Sequence, residues 1–122
     1  MRIIRLPGIH HDANAVIFSG SESNVLVDAG TTWYQMLQVE RITGHLSRDQ
    51  AQEKTLDSIL LTSRRYPFAG GAKHISEANG NIPIYIHPDA ISVLETGDFY
   101  STWANRYDSD MPSTRCESIS QG

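Results

Sequence analysis

Cysteine is nearly missing from this sequence of 122 residues, where Cys116 stands alone. One thiol forms no internal disulfide framework and cannot by itself build a thiolate zinc site. Long apolar runs are missing too, so nothing approaches the length needed to span a bilayer. The opening Met-Arg-Ile-Ile-Arg-Leu-Pro lacks the extended apolar stretch of a secretory leader, and a cytoplasmic location is the expectation that follows. Positive charge is scarce: ten Lys plus Arg stand against fourteen Asp plus Glu, for a formal net charge of -4. That balance argues against a general electrostatic nucleic-acid binder. No repeat, linker or low-complexity segment interrupts the chain. What remains, 39% hydrophobic and 20% charged residues, is the composition of a single soluble globular domain with one core.

The chain alternates strand-like and helix-like segments. Arg2 to Leu6 reads as a strand stopped by Pro7-Gly8. Ala15 to Phe18 and Asn24 to Asp28 flank the turn Ser19-Gly20-Ser21-Glu22-Ser23, as a hairpin would. Thr32 can cap a following helix whose Trp33, Met36, Leu37, Ile42 and Leu46 are expected to form one apolar face. Gln35, Gln38, Glu40 and Arg41 would then face solvent. Ser47 to Lys54 is polar, a loop or an exposed turn. Ser58 to Thr62 is a continuous apolar run of the kind buried on both faces. A helix over Gly71 to Ala78 closes at Asn79-Gly80, and a strand over Ile82 to Ile86 precedes a helix over Pro88 to Leu94. Proline suits the first position of that helix, and Asp89 its first turn.

No strand pattern follows Ile86, and the stretch from Ser101 onward is polar. Tyr100, Trp103 and Tyr107 have the spacing of one buried helical face. The strands and helices therefore present more apolar surface than the rest of the chain can cover. Either another polypeptide supplies the cover or the domain is incomplete, and the second is preferred.

The segment Leu60-Leu61-Thr62-Ser63-Arg64-Arg65-Tyr66-Pro67-Phe68-Ala69-Gly70-Gly71 runs from an apolar strand through a polar turn to a Gly-Gly pair opening a helix. A strand-end active site belongs there. A divalent metal would want His, Cys, Asp or Glu donors, and the turn offers none. His10-His11-Asp12 forms a small cluster, but adjacent histidines in an extended segment point to opposite sides, so a polar loop is the expected role. His45 suits the end of a helix dipole, His74 a solvent-facing helix position and His87 a strand-to-helix turn. Ser63 has no positioned base in the sequence, and Cys116 is read as passive.

The order of these pieces resembles the N-terminal half of the metallo-β-lactamase superfamily, an αββα sandwich of α/β class. The resemblance is carried by Asn14 to Phe18, Asn24-Val25-Leu26-Val27-Asp28-Ala29-Gly30, Asp57 to Thr62, Gly70-Gly71 and Ile82 to Pro88. It implies one incomplete domain over residues 1–122. It also implies that Asp28 supports a metal-bearing loop from beneath. The family's His-x-His-x-Asp-His motif falls on Ser63, Arg65, Pro67 and Phe68, so all four ligand positions are changed. Family hydrolysis relies on a metal to acidify water and polarise the scissile bond. No catalytic or metal residue and no cofactor are therefore expected; zinc or iron would follow if this reading of the motif were wrong.

Three readings of the arginines stand open. They are solvated loop residues, or Arg65 pairs with Asp28 and staples an emptied cavity, or Ser63, Arg64 and Arg65 bind an anion such as phosphate or carboxylate beside the next helix. The former metal site is thus Asp28, Ser63, Arg64 and Arg65. Three functions match: a non-catalytic homologue binding a small anionic ligand or a protein partner, a metal-dependent hydrolase relying on residues beyond this chain, and a structural subunit completed by another chain. An oligomer or a completing segment is expected, and neither nucleic acid nor membrane.

Overall fold

The computed structural model describes residues 2–8, 13–31, 35–47, 55–96 and 114–119. Among the described residues, six strands form one sheet in chain order: β1 (Arg2–Leu6), β2 (Ala15–Ser19), β3 (Asn24–Val27), β4 (Ser58–Leu60), β5 (Ile84–Ile86) and β6 (Glu117–Ser118). The first three pair antiparallel, and β3 through β6 run parallel. The expected hairpin is present, with Val16 opposite Val27 and Ser19 opposite Asn24. Its turn closes where Gly20 N–H donates to the Ser23 carbonyl at 2.8 Å.

Among the described residues, four helices lie in the crossovers: α1 (Gln35–Ser47), α2 (Tyr66–Ala69), α3 (Ala72–Ala78) and α4 (Pro88–Thr96). Each parallel crossover moves one strand further in the same direction. Right-handed connections then put every crossover helix on the same side of the sheet. Burial alternates accordingly. Ile4, Leu6, Ala15, Ile17, Leu26, Ile59, Ile84 and Ile86 are buried and join Ile42, Leu46, Ile75 and Leu94 from the helices in one core. The other face carries Val16, Val25, Val27, Leu60 and Tyr85, all half-buried, with Ile3 63% and Phe18 36% exposed.

Several expectations need correction. The run beginning at Ser58 is not buried on both faces: Ile59 is buried, while Ser58 and Leu60 are only half-buried on the open side. The α1 face was placed wrongly as well, since Met36 is 63% and Leu37 43% exposed, whereas Gln38 is buried with Ile42 and Leu46. At about 100° per residue, Met36 and Leu37 lie about 120° and 140° away from Ile42 around the helix. Residues four apart from Ile42 set the inward line, and Val39 packs against the same core. A strand does follow Ile86, because the two residues of β6 pair parallel with Tyr85 and Ile86. The short α2 was also not foreseen; Pro67 suits its first turn, where a missing N–H costs nothing. His74 is half-buried rather than solvent-facing.

Helix α1 is tied to β1 at both ends of the strand. Arg2 Nη2 donates to the His45 carbonyl at 2.6 Å, in the last turn of α1, where a cation meets the negative end of the helix. Arg41 Nη2 donates to the Pro7 carbonyl at 3.1 Å. Asn24 joins β3 to the segment before β4. Its N–H donates to Asp57 Oδ2 at 2.7 Å, its Nδ2 to the Thr55 carbonyl at 3.0 Å, and its Oδ1 accepts from Ser19 Oγ at 2.6 Å. His10, His11, Asp12, Thr32, Trp33, residues 48–54, Tyr100, Trp103 and Tyr107 lie outside the described residues.

Candidate functional site

Parallel strands in α/β sheets gather functional loops at their carboxyl ends. Here the ends of β3, β4 and β5 deliver Asp28, the 61–71 loop and His87 to one rim of the sheet. Asp28 directly follows β3, is buried, and adopts φ 64°. Aspartate is one of the few residues that enter this left-handed region with modest cost, because its short polar side chain bonds nearby backbone. Its own N–H remains in the sheet, donating to the Leu60 carbonyl at 2.9 Å.

The carboxylate is held by Thr62. The Thr62 N–H donates to Oδ1 at 2.8 Å and its hydroxyl to Oδ2 at 2.7 Å. Burial pushes the Asp28 carboxyl up from its ordinary 3.8, and the two Thr62 bonds draw it part of the way back. Thr62 is thus a site residue that the sequence reading passed over. The contact follows from strand register and not from any local sequence signal: Val27 and Leu60 are partners, so Asp28 and the residues after β4 emerge side by side.

The two loops are laced by backbone bonds. Ala29 N–H donates to the Phe68 carbonyl at 2.7 Å, and Gly71 N–H donates to the Gly30 carbonyl at 2.7 Å. Ala13 N–H reaches the Pro67 carbonyl at 3.0 Å. Gly71 is demanded by this approach: a β-carbon there would lie 2.8 Å from the Ala29 carbonyl oxygen and 3.0 Å from that of Thr31. Gly30, at φ 74°, turns the chain away beneath it.

The turn itself is small and polar. Ser63 Oγ accepts from the Arg65 N–H at 3.1 Å, and the Arg65 carbonyl accepts from the N–H groups of Phe68 and Ala69. Ser63, Arg64 and Phe68 are half-buried, and Arg65 is exposed. On the neighbouring strand, His87 caps α4. Its Nδ1 accepts from the Asp89 N–H at 3.2 Å, and its carbonyl accepts from Ala90 N–H at 3.0 Å. The turn role expected for His87 is what the geometry provides.

Residues 9–114 match the Metallo-beta-lactamase superfamily. The chain belongs to that superfamily. Solved structures agree at the level of fold. The metallo-β-lactamase SMB-1, bound to 2-mercaptoethanesulfonate, aligns over 98% of this chain and 44% of its own, with 22% identity and a TM-score of 0.72. GOB-18 from Elizabethkingia meningoseptica aligns over 88% of this chain and 38% of its own, at 16% identity and TM-score 0.69. BLEG-1, a B3 metallo-β-lactamase, aligns over 99% and 54%, at 17% identity and TM-score 0.71. The chain therefore spans only about half or less of the structures it matches. No curated protein matches alongside them.

The superfamily's zinc chemistry has a poor seat in this rim. Ser63 Oγ already serves the Arg65 N–H, Pro67 and Phe68 carry no donor side chain, and Arg65 is a cation. Among the described residues, no group of three or more His, Cys, Asp or Glu side chains is placed to hold a metal ion. In the loop that follows the Asp28 to Thr62 contact, Ser63, Arg64, Arg65, Pro67 and Phe68 include no His, Cys, Asp or Glu side chain. No helix among the described residues is long and apolar enough to cross a membrane.

A cavity of about 1110 Å³ lies elsewhere, between α3, β5 and β6, lined by Lys73, Glu77, Tyr85, Arg115 and Glu117 among others. Cys116 is buried nearby in sequence, and burial, with the Glu95 carboxylate second, pushes its thiol up to about 11.

Proposed function

We propose that this chain is a non-catalytic member of the metallo-β-lactamase superfamily that binds a small anion at the former metal rim, through Ser63, Arg64 and Arg65. The observation that carries the reading is the contrast within one loop. Asp28 and Thr62 keep their bidentate lock and Gly71 keeps its close seat under the 28–31 turn. The positions between them hold a hydroxyl and two guanidinium groups. A rigid loop presenting permanent cations favours a phosphate or carboxylate over a divalent metal. Thr62 donates two hydrogen bonds to the Asp28 carboxylate, one to each oxygen.

Two measurements test this. Inorganic phosphate titrated into the purified chain by calorimetry should bind with a stoichiometry near one, and Arg64→Ala with Arg65→Ala should abolish the heat. Elemental analysis of protein purified without chelator should find zinc, iron and manganese far below one equivalent. Stoichiometric metal would return the hydrolase reading, and absence of phosphate binding would remove the anion site.

A further inference from the structure

The far end of α3 carries a feature that neither the rim nor the core uses. Of the five asparagines, Asn14, Asn24, Asn79, Asn81 and Asn105, only Asn79 precedes a glycine. A residue without a β-carbon leaves its own backbone nitrogen unshielded and free to turn. Asn79 closes α3 at φ -113° and ψ 25°, and Gly80 follows at φ 85°. Gly80 is exposed, with nothing within 4 Å of the place a β-carbon would take, so solvent reaches the peptide that joins the two.

We propose that Asn79 is a site of spontaneous deamidation, gated by opening of the last turn of α3. The Gly80 nitrogen attacks Asn79 Cγ, a cyclic imide forms, and ammonia leaves with the proton that the Gly80 amide gives up through solvent. Water then opens the ring at either carbonyl and restores the Gly80 amide, leaving aspartate or isoaspartate. The closed turn forbids the first step. At ψ 25° the Gly80 nitrogen stands nearly opposite the Asn79 β-carbon about the Cα–C bond, out of reach of Cγ. The side chain is held as well: Nδ2 donates to the Ile75 carbonyl at 2.9 Å, and Oδ1 accepts from the Leu56 N–H at 3.4 Å. The attacking atom is held loosely, since the Gly80 N–H reaches the Glu77 carbonyl only at 3.4 Å. Fraying of one turn releases these bonds, and helix ends open far more cheaply than a core does. The product cannot remake the cap. A carboxylate has no hydrogen for the Ile75 carbonyl, and it adds negative charge at the negative end of the helix. The inference is independent of what the Ser63 to Arg65 loop binds.

The test compares the folded chain with the chain in concentrated urea, each incubated at about pH 8 and about 37 °C, cleaved after glutamate and read by mass spectrometry. The peptide from Ala78 to Glu95 holds both Asn79 and Asn81, so Asn81 is the internal control. Asn79 should gain about one mass unit, with isoaspartate among the products, about tenfold more slowly in the folded chain than in urea. Escape only through global unfolding would slow it by about a thousandfold or more. Equal rates, suppression of that larger order, or change at Asn81 ahead of Asn79 overturns the proposal. Asn79→Asp, made directly, should lower the melting temperature by about 4 °C through loss of the cap, and an unchanged melting temperature would show that the Asn79 side chain holds no gate.

Discussion

Replacing Asp28 by asparagine and by alanine separates two ways of holding the rim. Asparagine keeps the shape of the side chain and one carbonyl oxygen for the Thr62 N–H. The Thr62 hydroxyl can turn round and accept from the new amide, so both bonds at 2.8 and 2.7 Å have counterparts. Asparagine also tolerates φ 64°. Asp28→Asn should therefore stay within about 1 kcal/mol of the parent at neutral pH. Alanine removes both acceptors and meets the left-handed backbone without a polar side chain. The lost bonds cost about 1–3 kcal/mol and the backbone about 1 kcal/mol, for about 2–4 kcal/mol in all. The pH dependence has a definite sign. Burial raises the Asp28 carboxyl above 3.8, so the folded chain takes up this proton at a higher pH than the unfolded chain. Stability is then gained as pH falls through the folded value, is fully present below 3.8, and is lost again as pH rises. Urea unfolding of the parent and of Asp28→Asn across this window should show the parent gaining relative to the variant as pH falls. Should asparagine prove as damaging as alanine, the negative charge itself is what the fold uses. A cation such as Arg65, not Thr62, would then be the partner that matters.

Two glycine substitutions should move stability in opposite directions. Gly71→Ala forces a β-carbon against backbone oxygens that cannot swing away, at 2.8 and 3.0 Å, and should cost about 1–3 kcal/mol in chemical denaturation. Gly44→Ala, inside α1 with nothing within 4 Å of the added carbon, should stabilise by about 0.5–1 kcal/mol. Cys116, buried with a thiol pushed up to about 11, should react slowly with a disulfide reagent at pH 8 and rapidly once the chain is unfolded.

The strands were legible because alternation and turn residues are local. Pro7-Gly8 and the Ser19 to Ser23 turn bracket β1, β2 and β3 within a residue or so of where they lie. The phase of α1 was not, since Met36, Leu37, Val39 and Ile42 offer more than one apolar stripe and only the sheet decides which is buried. Within the site, the Asp28 position and the Gly-Gly seat were legible from the resemblance. The Thr62 lock was not, because it spans 34 residues and rests on strand register, which periodicity does not encode. The brief β6 escaped for a related reason: Glu117 and Ser118 are polar, exposed and lie on the sheet edge, so no apolar pattern marks them.

A sheet whose strand order repeats the chain order can be laid down as synthesis proceeds. β1, β2 and β3 can pair as a meander before anything else is made, and each later strand joins the newest edge. Asp28 is the exception to this tidy growth. It sits at the end of β3 in a left-handed turn, and its partner Thr62 comes 34 residues later, after α1 and β4. During that interval the β3 edge is bare and the turn beyond it has nothing to lock it. The moment β4 docks, Leu60 takes the Asp28 N–H and Thr62 takes its carboxylate. Arrival of one strand thus ends the exposure of an edge and sets the rim of the site in the same step.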